Sequence, residues 1–324
     1  MRIYLTGGTG YIGKVLAQRL AEAGHEVRAL VRASSNVEPL HRLGIATFVG
    51  DLTDRASMRE GMSGADWVVH AGAEVTMSGS TEKMEGANVQ GSENVASLAY
   101  KLGVGRFLSV SSMAWWGGSP ADGSLGNEET PPYNPLPTPY SATKHAGEQV
   151  IQQWAARGLK VNTVFPSLVY GPPGKKEGAN VILRQFMLER MPGLVAADRK
   201  TAWIFIDDLV AGIVKVMERA PVGRGYLMTG DVVSLEGLSR KVCALAGARP
   251  PRLRLSLGMA GLILSLMAPL YKLQGKRPPY SRDQLRSLGR HWAFTDARAQ
   301  SELDWHPRTL DEGLPPTIEF LRTT

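Results

Sequence analysis

The sequence predicts an α/β fold, a doubly wound parallel sheet followed by a smaller, mostly helical C-terminal domain. Two observations support this prediction. Up to about residue 165, short apolar runs alternate with segments that are apolar at helical spacing, which is typical of a parallel sheet with helices on both faces. Beyond Pro166 the alternation weakens, and the chain becomes rich in Leu, Met, Arg and Pro.

Six apolar runs are the predicted strands of the sheet, at residues 2–5, 26–31, 45–49, 67–70, 106–110 and 160–165. A helix is predicted between the first two, because apolar residues recur at helical spacing from Ile12 to Ala23 and Gly24 suits a C-cap. A second helix is predicted from Tyr140 to about Arg157, after a proline-rich loop. We expect residues 1–170 and about 200–232 to form a dinucleotide-binding domain, and residues 171–199 and 233–324 to form a substrate domain.

Cysteine usage and chain length limit the class of protein. Roughly 300 residues can bury about three quarters of their unfolded surface, so a core needs neither disulfides nor metals. The single cysteine, Cys243, excludes an intrachain disulfide and a zinc site built from several cysteines, and it points to a reducing compartment or to indifference to redox state. Because the strand pattern begins at Arg2, we expect no cleavable leader and a cytoplasmic protein without a metal site.

The net charge of +7 is concentrated in one segment. Nine cations lie between Arg249 and Arg290 against one acid, Asp283, so the rest of the chain is nearly neutral. No nucleic-acid-binding module accompanies this charge, so a nucleic-acid partner is not expected. Residues 255–271 are apolar but interrupted by Pro269, and they are short for a membrane span of roughly 20 residues. They form either a lid over the substrate pocket or, with the cations of 249–290, a peripheral membrane contact.

A glycine-rich turn, TGGTGYIG at residues 6–13, follows the first strand and opens the first helix. Glycines let the backbone approach a dinucleotide pyrophosphate, and the helix N-terminus supplies free N–H groups and a favourable dipole. The glycine spacing is three and three, whereas the usual fingerprint has two and three. The position between a strand and a helix nevertheless predicts a dinucleotide site in a Rossmann-type domain.

The end of the second strand favours NADP(H), with NAD(H) as the alternative. NAD-binding proteins usually have an acid there for the ribose hydroxyls, but this chain has Arg32, followed by Ser34 and Ser35. A guanidinium can pair with a 2′-phosphate; otherwise Arg32 is an ordinary surface residue. Asp51 and Leu52 follow the third strand and lie either near the adenine or in a structural turn.

Two segments carry side chains suited to carbonyl chemistry. Tyr140 and Lys144 are four residues apart on a predicted helix and share a face. A tyrosine, with an ordinary pKa of about 10, exchanges protons near neutral pH only if a cation stabilises its phenolate. Ser111 and Ser112 end the fifth strand, at the edge where ligands bind in open α/β sheets, and a hydroxyl there can hydrogen-bond a substrate oxygen.

These segments, together with others, resemble the extended short-chain dehydrogenase/reductase family over nearly the whole chain. Residues 31–36 look more like its dihydroflavonol reductase and hopanoid-associated epimerase-like branch than like the NAD-dependent sugar epimerases. The segments that carry the resemblance are TGGTGYIG (6–13), Asp51-Leu52, HAGA (70–73), NVQGSEN (88–94), SSMAWWG (111–117), YSATK (140–144), FPSLVYGP (165–172), FIDD (205–208), DARA (296–299) and LDWHP (303–307).

The resemblance implies roles for individual residues and a homodimer. Ser112 would be the catalytic hydroxyl and Tyr140 the acid/base, while Lys144 would lower the tyrosine pKa and bind the nicotinamide ribose. Asn88 is either a cofactor or water contact or a structural amide, and we interpret His70 as a satisfied strand-end histidine. The predicted cofactor contacts are Gly7, Thr9, Gly10, Tyr11, Ile12, Gly13, Arg32, Ser35, Asp51, Leu52, Ala71, Gly72, Ala73, Asn88, Ser111, Tyr140, Lys144, Pro166, Ser167 and Val169.

Two departures from the family pattern favour an apolar substrate. Phe165 stands where an arginine is common, which removes a charge near the floor of the site. Trp115 and Trp116 replace the commoner Val-Tyr; with Ser112 they are candidate substrate contacts, or they are ordinary packing residues.

We therefore expect an NADP(H)-dependent oxidoreductase that interconverts a ketone or aldehyde and an alcohol on an apolar, flavonoid-, steroid- or polycyclic-like small molecule. The alternative keeps the fold and cofactor but makes the protein a nucleotide-sugar epimerase or dehydratase, with no net turnover of the cofactor. A third hypothesis is a non-enzymatic NADP-binding protein, against which an intact Ser112, Tyr140 and Lys144 argue.

Overall fold

The computed structural model describes residues 1–75, 80–273 and 281–323, and its strands form three sheets. One sheet has seven strands, one has three and one has two. The strands are β1 (Arg2–Thr6), β2 (Glu26–Val31), β3 (Ala46–Val49), β4 (Trp67–His70), β5 (Arg106–Val110), β6 (Val161–Pro166), β7 (Leu168–Tyr170), β8 (Gly193–Val195), β9 (Lys200–Phe205), β10 (Gly225–Met228), β11 (Val232–Ser234) and β12 (Leu253–Leu255).

Helices connect these strands, and polar side chains begin several of them. Thr309 and Ser281 each form a capping box with the residue three positions later, which satisfies backbone N–H groups that a helix start leaves free. The α-helices are α1 (Tyr11–Glu22), α2 (Glu38–His41), α3 (Arg59–Met62), α4 (Thr81–Glu85), α5 (Gly91–Lys101), α6 (Pro139–Ala156), α7 (Asn180–Met187), α8 (Ile206–Arg219), α9 (Leu235–Ala246), α10 (Leu257–Leu273), α11 (Arg282–Leu288), α12 (Ala297–Leu303) and α13 (Leu310–Arg322).

The seven-stranded sheet has the order β10-β6-β5-β4-β1-β2-β3, and all its neighbouring strands are parallel. This confirms the predicted Rossmann-type doubly wound sheet. The strand order reverses between β1 and β4, and ligands of open α/β sheets bind at such a switch point, beyond the carboxyl ends of the strands. Thr6 pairs with His70 there, so the segments that follow β1 and β4 lie side by side.

Apolar cores lie on both faces of this sheet, because successive residues of a strand point to opposite faces. Ile3 and Leu5 of β1 belong to one core and Tyr4 to the other, and all three are fully buried. Helices α1 and α8 contact each other over the first face, and α5 and α6 over the second. Strands that are buried on both faces read as nearly continuous apolar runs, which is why the sequence shows them clearly.

The later part of the chain builds a smaller, mostly helical unit. Strands β7, β9 and β11 form the three-stranded sheet, and β8 pairs with β12. Helices α7, α9 and α13 pack in a separate core with Phe186, Leu238 and Leu314. The predicted block 200–232 contributes to both parts, since β9 joins the small sheet whereas α8 and β10 join the large one. The chain then returns to the large sheet, where Trp305 Nε1 donates to the carbonyl of Asp208 at 2.9 Å.

The apolar segment noted in the sequence forms a helix that passes through Pro269, since α10 extends from Leu257 to Leu273. A proline removes the hydrogen bond to the carbonyl four residues earlier, here that of Ser265. Ser265 is exposed, so water can satisfy this carbonyl and a surface helix can pass through the proline.

Candidate active site

The glycine turn packs against the segment that follows β4. Gly7 has a φ of 77°, and a Cβ added to it would lie 2.6 Å from the carbonyl oxygen of Ala71. A Cβ on Gly13 would overlap the carbonyl oxygen of Gly7. Gly10 is the N-cap of α1 and supplies no side-chain cap, so the first N–H groups of the helix remain available to an anion. The turn therefore has the close backbone packing and the free N–H groups that a phosphate site requires, at the sheet's switch point.

His70 anchors this region and is not a candidate acid or base. Its Nδ1 lies 2.8 Å from Thr6 Oγ1 and its Nε2 lies 3.2 Å from Ser92 Oγ. Thr6 Oγ1 also accepts from the N–H of Gly72 at 3.1 Å. Burial, with the nearby cation of Lys144, lowers the pKa of His70 to about 3, so the ring is neutral. The histidine holds residues 71–73 beside the glycine turn.

Ser112, Tyr140 and Lys144 come together at the carboxyl ends of the strands. Ser112 follows β5, and its Oγ accepts from the N–H of Ala114 at 3.1 Å, which leaves its hydrogen free to donate. Thr138 caps α6 by accepting from the N–H of Ser141, and Tyr140 therefore lies in the first turn of the helix. The Ser112 hydroxyl lies near the phenol of Tyr140 and favours its charged form. Lys144 Nζ lies at the end of β5, 3.3 Å from the carbonyl oxygen of Val110.

Burial dominates the protonation of Tyr140. It raises the pKa of this residue, and the nearby Ser112 hydroxyl only partly opposes that shift. Desolvation of the phenolate outweighs the stabilisation it receives. The predicted stabilisation of the phenolate by Lys144 stays a prediction.

The pKa of Lys144 is also shifted, and a nearby buried carboxylate influences this shift. Burial lowers the pKa of Lys144 to about 8, and the carboxylate of Glu148 opposes this shift. Glu148 is 5% exposed; its oxygens accept from Ser109 Oγ at 2.8 Å and from Thr163 Oγ1 at 2.7 Å. The sequence analysis did not predict a role for Glu148. Its position four residues after Lys144 on one helix indicates that the two side chains are neighbours.

Two buried hydroxyls near the site are unpaired. Ser111 Oγ and Ser167 Oγ have no hydrogen-bond partner among the described residues, and both side chains are less than a tenth exposed. They follow β5 and β6, at the edge that binds ligands. Unsatisfied buried polar groups are costly, so these hydroxyls fit a polar ligand such as the carboxamide end of a nicotinamide. Pro166 and Val169 lie on either side of Ser167 in the chain, and their predicted contact with the nicotinamide stays a prediction.

The opposite end of the crevice carries Arg32 and Asp51. Arg32 is exposed after β2, and a tight turn joins it to Ser35, whose Oγ accepts from the N–H of Arg32 at 3.2 Å. Hydrogen bonds from Thr53 hold the pKa of Asp51 below its ordinary value, and the charge of Arg32 acts in the same direction. Arg32 and Asp51 are thus close enough to interact. Leu52 lies near Gly72, which places it between this end and the glycine turn.

Two predicted cofactor contacts have structural partners. Asn88 is 3% exposed; its Oδ1 accepts from the N–H of Glu74 at 2.8 Å and its Nδ2 donates to Thr143 Oγ1 at 3.1 Å, which favours the structural interpretation. Tyr11 donates its hydroxyl proton to the carbonyl of Gly171 at 2.6 Å. The sequence reading missed this contact between the glycine turn and the chain that follows β7.

The two tryptophans differ in exposure. Trp116 is 1% exposed; its Nε1 donates to the carbonyl of Thr130 at 2.8 Å, and its ring packs on Phe165. Trp115 is partly exposed, and its ring stacks on His145 with 4.6 Å between centroids. Trp116 is therefore a packing residue, because it presents almost no surface to a ligand. Trp115 remains a candidate substrate contact.

A groove of about 690 Å³ runs along one flank of α6, but it is separate from this cluster. It is lined by Trp115 and Trp116 and by residues of α6, β6 and the turn before β10, but none of the three catalytic candidates is among them. Lys144 instead borders a small cavity together with His70 and Ser111. Glu148 borders both spaces. The candidate active site is therefore assigned from the cluster of Ser112, Tyr140 and Lys144, and not from the larger groove.

The fold and these side chains define a class of protein. A doubly wound parallel sheet with a glycine turn at its switch point and a Ser, Tyr and Lys cluster at its carboxyl edge is suited to nicotinamide-dependent oxidoreduction. The model of the NAD dependent epimerase/dehydratase family matches residues 3–228, and the chain belongs to this family. It is an NAD(P)-dependent oxidoreductase of the extended short-chain dehydrogenase/reductase type.

Relatives of two kinds match nearly the whole chain. A putative dihydroflavonol 4-reductase of Synechocystis is 28% identical over 98% of this chain and 94% of its own. A dTDP-glucose 4,6-dehydratase of Mycolicibacterium smegmatis is 29% identical over 99% of this chain and 93% of its own. The crystal structure of gox2253 has a TM-score of 0.87 at 27% identity and covers 99% of this chain and 98% of that chain. The predicted family resemblance is confirmed.

Proposed function

We propose that the protein is an NADP(H)-dependent oxidoreductase that interconverts a ketone or aldehyde and an alcohol on an apolar, flavonoid-, steroid- or polycyclic-like substrate. The main support is that Ser112 and Tyr140 lie close together at the carboxyl edge of the sheet, with Lys144 one turn further along α6. Phe165 and the partly exposed ring of Trp115 support an apolar substrate. The Synechocystis relative is named as a reductase, which agrees with this proposal.

In the direction of reduction, Tyr140 gives its phenolic proton to the carbonyl oxygen, and Ser112 donates a hydrogen bond to the same oxygen. Because its pKa is raised, Tyr140 is protonated at neutral pH and can act as an acid. Lys144, with a pKa of about 8, is mostly charged at that pH and stabilises the phenolate that remains. A bound NADPH would supply the hydride for the carbonyl carbon and would be oxidised to NADP⁺.

The cofactor would lie along the carboxyl edge of the sheet. The glycine turn and residues 71–73 would hold its pyrophosphate, and Ser111 and Ser167 would satisfy its nicotinamide end. Arg32 and Ser35 would hold the 2′-phosphate, because an exposed guanidinium stands where a carboxylate would repel it. Asp51 and Leu52 would line the adenine. The proposed preference for NADP(H) depends on Arg32.

A thermal-stability series with NADPH, NADP, NADH and NAD tests the cofactor. A ligand that binds only the folded state at about 100 times its Kd adds about 2.7 kcal/mol, which corresponds to a Tm rise of roughly 5 °C. We expect NADPH and NADP to raise the Tm and Arg32→Ala to weaken their binding by about tenfold or more. Arg42→Ala, an exposed arginine paired with Glu38, is the matched control. An equal rise with NADH would contradict the assignment of Arg32.

Turnover tests the chemistry. With NADPH and a bicyclic ketone such as a decalone, we expect Tyr140→Phe to lower kcat by about 100-fold or more, because the proton donor is lost. The Tm rise with NADPH should remain, since the ring still fills its site. A variant that reduces the ketone at the wild-type rate would exclude Tyr140 as the acid.

The second candidate function is a nucleotide-sugar epimerase or dehydratase. The Mycolicibacterium smegmatis relative favours it, since that protein is named dTDP-glucose 4,6-dehydratase. Cofactor retained through purification, with conversion of a nucleotide sugar and no net change in NADP(H), would establish this function instead.

The organisation of the site leads to further proposals. Residues 171–199 and 233–324 would supply the substrate side of the pocket, and residues 1–170 with most of 200–232 the cofactor side. The homodimer and the cytoplasmic location remain predictions from the sequence.

A further inference from the structure

Helix α10 is apolar on more than one face. Its inner face carries Ala260, which is 8% exposed and belongs to a small core with Leu285 and Val195. Leu264 packs against the same core. This contact fixes the helix on the smaller unit and leaves its other face outward.

The outward face is also built from large apolar side chains. Leu266 is 71% exposed and Leu262 is 61% exposed, and they stand one turn apart. A helix that is apolar all round is normally buried, and contiguous exposed apolar surface marks an interaction site. The exposed apolar residues of α10 are Leu257, Met259, Leu262, Ile263, Leu266 and Met267.

Cations precede and follow α10 along the chain. Arg249 and Arg252 are exposed before β12, and Arg282 and Arg286 are exposed in α11, where Arg286 pairs with Asp283. Residues 257–273 contain no acid, and among 249–290 the only acid is Asp283. An apolar stripe between clusters of arginine matches the acyl boundary and headgroups of an anionic bilayer.

Two other roles for the exposed face of α10, a dimer interface and a lid, fit these observations less well. A second copy on a two-fold axis would bring the same patch against itself, and the arginines of one copy would face those of the other. A lid is not supported either, since no described residue of α10 lines the cavity at Lys144 or the groove along α6. In the described part of the chain, no helix is long and apolar enough to cross a membrane, so a helix of this kind would lie in the plane of the interface.

We propose that α10 is an interfacial anchor that inserts its outward face, from Leu257 to Met267, into the surface of an anionic lipid bilayer. The anchor is connected to the candidate active site. Leu257 lies against Gly289, and the next residue, Arg290, donates to the carbonyl of Gly117 at 2.9 Å. Gly117 ends the short helix that carries Trp115. The anchor therefore holds the proposed apolar pocket close to the phase in which apolar substrates concentrate.

Co-sedimentation with lipid vesicles tests the anchor on the full chain. We expect binding to vesicles of phosphatidylcholine mixed with phosphatidylglycerol, weaker binding to phosphatidylcholine alone, and loss of binding at high salt. Leu262→Glu with Leu266→Glu should weaken binding by about tenfold or more. Arg249→Gln with Arg252→Gln should weaken it by about fivefold for each arginine. Val222→Glu, which alters an exposed apolar residue outside α10, is the control and should bind as wild type does.

Each variant is first checked for folding by circular dichroism and by the Tm rise with NADPH. Because vesicle binding is measured without turnover, failure of the proposed oxidoreductase function would leave this readout intact. Equal vesicle binding by wild type and both double variants would overturn the proposal. So would an absence of wild-type binding, or a dimer in sedimentation equilibrium that Leu262→Glu with Leu266→Glu disperses.

Discussion

The charge of Lys144 depends on a balance between burial and one neighbouring carboxylate. Burial brings the pKa of Lys144 to about 8, and Glu148 keeps it from falling further. Glu148 is held in place by hydroxyls of β5 and β6, Ser109 and Thr163, so its position is set by the sheet and not by the helix alone. We regard Glu148 as a positioning residue that acts through Lys144.

This balance predicts the pH dependence of reduction. Lys144 is charged below its pKa of about 8, so kcat should fall as the pH rises through that value. In Glu148→Gln the carboxylate that raises the pKa is gone, so this fall should move to lower pH, by about one unit or more. The measurement is kcat against pH with NADPH and a ketone, with Gln149→Ala, an exposed neighbour on α6, as the control. Superimposable profiles for wild type and Glu148→Gln would show that Glu148 has no influence on the lysine.

At the scale of elements, the site depends on how closely α6 approaches the helical turn at residues 86–90. A Cβ on Gly147 would overlap the carbonyl oxygen of Asn88, so only glycine permits this contact. Asn88 Nδ2 also donates to Thr143 Oγ1 of α6 at 3.1 Å. The contact sets the height of α6 above the sheet and therefore the reach of Tyr140 and Lys144.

Gly147→Ala should therefore separate the two elements. We expect the free energy of unfolding to fall by about 1–3 kcal/mol, since a methyl group would be forced against the backbone, and kcat to fall as Lys144 moves. Gly86→Ala is the matched control, because a Cβ there would lie 3.7 Å from Thr53 Cγ2, an ordinary contact. Urea denaturation measures both variants. An unchanged stability in Gly147→Ala would mean that the contact is softer than the structure indicates.

Elements buried in the large sheet were the most predictable. The strands at residues 26–31, 67–70 and 106–110 have the predicted bounds, because burial on both faces requires an unbroken apolar run. The strands of the small sheets were not predicted, since β7 and β11 have three residues each and pair with a strand distant in sequence. Such short strands carry no periodicity of their own.

At the scale of the whole molecule, the site residues that the sequence predicted are related locally in the chain. Those that it did not predict depend on contacts between distant residues. Tyr140 and Lys144 are recognisable because their relation is local, four residues on one helix. The partner of the Tyr11 hydroxyl is Gly171, 160 residues away, and no pattern in the sequence indicates that contact. Asn180 donates to the same carbonyl at 2.7 Å, so the glycine turn, the segment after β7 and the start of α7 meet at one oxygen.

This junction predicts communication between the cofactor and the substrate side. If the turn is ordered by NADPH, residues 171–180 should become more protected from amide hydrogen exchange in wild type. Tyr11→Phe removes one hydrogen bond, worth about 1 kcal/mol, so the protection that NADPH confers on this segment should fall by about fivefold. Tyr100→Phe, an exposed tyrosine on α5, should leave it unchanged. Equal protection in Tyr11→Phe and wild type would show that the two halves order independently, and that Tyr11 serves only the stability of the glycine turn.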